Sequence, residues 1–107
     1  MMSNVYPKNY QRYAELFPAM FEALHKGAEE ARKSGPLTEK NCHLVQLAAA
    51  LAVRSEGAVH SHARRALAAG VSQDELYQVV NLLISTVGFP TAAAGFSWIN
   101  DVLDTKA

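Results

Sequence analysis

The stretch His62-Ala63-Arg64-Arg65-Ala66-Leu67-Ala68-Ala69-Gly70-Val71-Ser72-Gln73-Asp74-Glu75-Leu76 decides the fold class. It reads as the end of one helix and the start of the next. The small-residue run closes at Gly70, which suits the left-handed residue that follows a helix C-terminus. Ser72-Gln73-Asp74-Glu75 then has the Ser-x-x-Glu form of a capping box, in which Ser72 and Glu75 satisfy each other's orphan amides. The spacing predicts one helix from about Ala58 to Ala69 and a second from Ser72 to about Val87.

Outward from this core the same punctuation repeats. Ser55-Glu56-Gly57 breaks the chain before Ala58, and Leu37-Thr38-Glu39 starts a helix with Thr38 as N-cap that runs to about Arg54. Before it, Tyr13, Leu16, Phe17, Met20, Phe21, Leu24 and Ala28 recur at three- and four-residue spacing. Pro18 is tolerated best in a first turn, so this segment reads as a short lead-in and a helix from about Phe17 to Lys33, stopped by Ser34-Gly35-Pro36. On the other side, Gly88-Phe89-Pro90 ends one helix, and Pro90 opens a last one reaching about Leu103. No alternating strand pattern and no repeat interrupts this order. The expectation is an all-α, single-domain bundle of about five to six helices over residues 1–107.

Half of the 107 residues are hydrophobic and 19% are charged, a globular composition of one-domain size. Many apolar residues are alanines, which bury little surface each, so association with further copies of the chain is expected. Ten basic and ten acidic residues cancel, and no Lys/Arg cluster offers a footprint for nucleic acid. Met1 to Lys8 has no apolar h-region and the apolar run Leu47 to Val53 is too short to cross a bilayer, so a cytoplasmic protein without a membrane partner is expected. Cys42 is the only cysteine, which excludes an internal disulfide and any Cys-x-x-Cys motif.

The helix ending near Arg54 is apolar from Leu44 to Val53 except for Gln46, so it should be covered nearly all round. His43, Gln46 and Arg54, with Ala50 between them, fall on one narrow stripe. Two readings fit that stripe. It is the solvent-facing side of a partly buried helix, or it lines a pocket in which Arg54 anchors a carboxylate and His43 acts as an acid or base. In the next helix, His60 and His62 point about 200° apart, a poor metal signature. His62 lies with Val59, Ala63 and Ala66 on the inward face, and His60 with Arg64 and Ala68 on the other side. If the two helices form a hairpin about Ser55-Glu56-Gly57, His43 and His62 face one space. His25 and Arg65 read as surface residues.

From Leu37 to Leu103 the chain resembles the carboxymuconolactone decarboxylase-like family, which also holds the alkylhydroperoxidase D-like thiol enzymes. The likeness rests on Leu37-Thr38-Glu39, the apolar helix Leu44 to Val53, the segment His62 to Leu76, and Gly88-Phe89-Pro90-Thr91-Ala92-Ala93. The peroxidase branch carries Cys-x-x-Cys, a histidine four residues after the second cysteine and a glutamate twelve before the first. On this chain those positions hold Ser55 and Ala58, His62, and His43. Serine and alanine cannot cycle through a sulfenic acid or a disulfide, so the resemblance argues against thiol peroxidase activity. The decarboxylase branch also lacks the cysteines and keeps the histidine.

The resemblance thus implies a cofactor-independent lyase or isomerase acting on a small carboxylate or lactone. His62 and His43 are its expected catalytic residues, and Arg54, Gln46 and Ser55 its expected substrate-binding residues. No cofactor and no metal are expected, since two histidines without a carboxylate or thiolate make an incomplete ligand set. The alternative is a non-catalytic oligomeric module that has lost the peroxidase chemistry. The family also implies a homo-oligomer, a trimer or hexamer, in which Phe89, Phe96 and Trp98 cover either an interface or the core.

Overall fold

The structure, a computed structural model, describes residues 8–105. Met1 to Pro7, read above for a leader, lie outside the described residues. Six α-helices and no strand occur among them: α1 (Lys8–Leu16), α2 (Pro18–Lys33), α3 (Glu39–Ala52), α4 (Glu56–Ala68), α5 (Gln73–Val87) and α6 (Phe89–Thr105). The all-helical class is as expected. The chain divides between Thr38 and Glu39 into two compact units.

In the first unit α1 packs on α2. The lead-in before Phe17 is itself a nine-residue helix, a difference from the sequence reading. The break is set by Pro18, because a residue before proline is pushed out of the α region. Phe17 accordingly takes φ −134° as N-cap, with Pro18 in the first turn of α2. No residue of either helix is buried. Leu16, Phe17, Met20 and Leu24 are more than half exposed, although they share the spacing of an apolar face.

The second unit holds the core. Helix α3 packs on α4, α5 and α6, α4 also meets α6, and α5 meets α6. Leu47, Leu51, Val59, Ala63, Ala66, Leu76, Ile99 and Val102 are wholly or almost wholly buried in one cluster. Gly95 of α6 lies so close to α3 that a Cβ there would overlap the Leu51 side chain. The capping box forms as expected: Glu75 N donates to Ser72 Oγ at 3.1 Å and Ser72 N to Glu75 Oε1 at 2.8 Å.

Two helices end in the same way. After α4, Val71 N donates to Ala66 O and Gly70 N to Leu67 O, each at 3.0 Å, with Gly70 at φ +96°. This is a Schellman closure. After α3, Ser55 N donates to Ala50 O and Arg54 N to Leu51 O, and Arg54 takes the left-handed place at φ +57°. The expected helix to Arg54 therefore stops at Ala52, and α4 starts at Glu56 rather than Ala58. The outer side of α3 and the link after it are more open than expected, with Val45 at 57% and Val53, just past the helix, at 74% exposure.

Candidate active site on the α3–α4 hairpin

The short link Val53 to Ser55 folds α4 back on α3 as an αα-hairpin. Buried positions on α3 are His43, Leu47, Ala50 and Leu51, the i, i+4, i+7, i+8 stripe of a core-facing helix. His43 thus sits on the core side, 5% exposed. Its Nε2 lies 3.8 Å from Glu39 Oε2, one turn earlier on the same helix. Glu39 was legible only as part of a helix start, although its i, i+4 spacing to His43 is the signal for such a pair.

Gln46 is half-buried, and its Oε1 is enclosed without a hydrogen-bond partner among the described residues. The solvent-facing reading of the stripe therefore fails at His43 and Gln46. Arg54 does not belong to the stripe at all, since α3 has ended and the backbone has turned left-handed. Its exposed guanidinium reaches α6 instead and donates from Nη1 to Thr91 Oγ1 at 2.8 Å.

On α4, Val59, Ser61, Ala63 and Ala66 are the buried residues. His62 is half-buried on the flank of this set rather than at its centre. Ser61 was passed over in the sequence because nothing in its spacing marks it. Its side chain is enclosed, 1% exposed, and its Oγ has no hydrogen-bond partner among the described residues. His60, expected on the side away from the core, lies against α6, because α6 packs across α4. Ser55 is the N-cap of α4 at φ −98°, ψ 98°, yet its hydroxyl makes no capping bond. Ala58 packs partly on the core.

A hairpin brings residues at equal distance from its turn to one height. Gln46 and His62 are each eight residues from Arg54, and His43 is three residues further out, about 4.5 Å along the axis. An open groove of about 480 Å³ also runs between α3 and α5, lined by Leu44, Val45, Ala48, Glu75, Val79 and Leu82 among others. None of the five expected site residues lines it. Phe89 and Phe96 are exposed at 64% and 45%, whereas Trp98 packs partly on the core.

Among titrating groups, Glu75 has its carboxyl held below the usual value. The Ser72 backbone N–H is the main cause and nearby Lys40 adds to it. The Lys40 Nζ lies 3.4 Å from Glu75 Oε1.

A family model described as the carboxymuconolactone decarboxylase family matches residues 16–101. No curated protein and no solved structure matches the chain.

Proposed function

Because the chain belongs to the carboxymuconolactone decarboxylase family, we propose that it is a cofactor-independent lyase or isomerase acting on a small carboxylate or lactone. The observation that carries the reading is a hairpin with a histidine on each of its packed helices, His43 and His62, and no thiol at Ser55 or Ala58. Enclosed polar atoms on both helices, Gln46 Oε1 and Ser61 Oγ, support a polar interior there.

Arg54 supports a substrate-binding role by its backbone. A left-handed residue without glycine costs about 1–2 kcal/mol, and such strain tends to be kept where the side chain is used. One bond to Thr91 leaves other donors of the fork for a carboxylate. In a decarboxylation the bond from carbon to a carboxylate breaks, CO₂ leaves, and the electron pair stays on that carbon. His62 as imidazolium supplies the proton, and His43 serves as a second acid or base. Gln46 and the Ser55 hydroxyl complete the substrate contacts.

The test is turnover of a panel of carboxylated lactones. His62→Ala is expected to lose roughly 10²–10⁴-fold in kcat, the usual worth of a positioned acid or base. No turnover by the wild-type protein, or equal turnover by the variant, would remove the proposal.

Assembly belongs to the same reading. The exposed Leu16, Phe17, Met20 and Leu24 of the first unit, and Phe89 on α6, are supports for a trimer or hexamer. This observation also favours the second reading, an oligomeric module without catalysis, which predicts assembly in solution and no turnover.

A further inference from the structure

Helix α4 of the hairpin and α6 bring together a second group of side chains. His60 Nε2 lies 3.0 Å from Asp101 Oδ2 and 4.0 Å from Glu56 Oε2. The three donor atoms all fall within 4.8 Å of one another. Glu56 and His60 are one turn apart on α4, and Asp101 comes from α6.

We propose that Glu56, His60 and Asp101 form a binding site for a divalent transition metal, with zinc as the reference ion. One imidazole and two carboxylates are a ligand set that suits zinc and other first-row divalent ions, and it leaves positions for water. Two ligand atoms about 2.1 Å from a tetrahedral zinc stand about 3.4 Å apart. The observed 3.0 and 4.0 Å separations bracket that spacing, so rotamer adjustments of exposed side chains are enough.

The frame behind the ligands is firm. Val59, Ile99 and Val102, next to or near them in sequence, are 0–1% exposed. His60 itself is held at 22% side-chain exposure, while the carboxylates remain open to solvent at 59% and 55%, so an ion has access. On binding, the metal takes the place of any proton on Nε2, and the neutral imidazole carries its proton on Nδ1. Two carboxylates balance the charge of the ion. The site uses neither His43 nor His62, and it stands whether or not the hairpin is catalytic.

The experiment uses the full chain, without a His tag and treated with chelator, titrated with zinc by calorimetry and with cobalt(II) by visible absorption. One zinc per chain is expected, together with a cobalt spectrum of mixed nitrogen and oxygen ligation. Outer partners of a metal ligand are worth roughly 10–100-fold in affinity, so removing a direct ligand should cost at least that. His60→Ala and Asp101→Asn should each weaken zinc by about that factor or more. A rise in the thermal midpoint with zinc, seen in wild type and missing in both variants, is the second readout. Absence of binding to the wild-type protein, or wild-type affinity in both variants, would overturn the proposal.

Discussion

Arg54 shows what a single residue can disclose once the backbone is known. Its place after α3 is the one that Gly70 holds after α4, with the same pair of closing hydrogen bonds. Replacing it with glycine relieves left-handed strain, so Arg54→Gly is expected to raise stability by up to about 1 kcal/mol in chemical denaturation. On the proposed function, the same change should also raise KM for a carboxylated lactone, so that stability and substrate binding move in opposite directions. A destabilised variant would mean that the Thr91 bond outweighs the strain. The residue type and the helix end were legible in the sequence, but not the left-handed turn, because Arg54 carries no local signal for it. Gly95 is the opposite case. Gly95→Ala should cost about 1–3 kcal/mol through overlap with Leu51, despite alanine's better helix propensity. That glycine is hidden in an alanine-rich helix, and only the approach of α3 explains it.

Among elements, α5 was the most fully legible, since the capping box and the closing Gly88 bound it at Gln73 and Val87. The box also makes an acid-sensitive contribution. Glu75 has its folded pKa lowered from an ordinary 4.5, mainly by the Ser72 N–H. Its stabilisation is therefore present above the unfolded pKa and is lost as pH falls through the folded one. Glu75→Gln should lower stability at neutral pH and flatten the acid limb, so that variant and wild type converge as pH falls below about 4.5. An unchanged acid limb would show that the carboxylate is not what titrates. Helices α3 and α4 were legible in type and order, and so was the inward face of Val59, Ala63 and Ala66 on α4, but the surroundings of His60 and Ser61 were not. The placement of His60 depends on α6, which is far away in sequence, so helical periodicity alone assigned it to the wrong surroundings. The burial of Ser61 has the same origin in tertiary packing.

For the whole molecule, the family match over residues 16–101 takes in parts of both units, whereas the shared core lies in the second. The all-helical class followed from turn chemistry that recurs at every boundary. The sequence reading expected one bundle over residues 1–107 and did not anticipate the division after Thr38 or the open apolar surface of α1 and α2, because amphipathic spacing marks a face without naming what covers it. The assembly expected for the family should appear as a mass above one chain in light scattering, and a monomer would leave that apolar surface without the role proposed for it.

The three-residue link between α3 and α4 has a kinetic consequence. Closing so short a loop loses little chain entropy, so the seam of Leu47, Leu51, Val59 and Ala63 can form early, before distant α6 docks. The close approach of Gly95 to Leu51 then belongs to the late side of the barrier. The destabilisation from Gly95→Ala should accordingly appear as faster unfolding with nearly unchanged refolding, the mark of a contact made after the rate-limiting step.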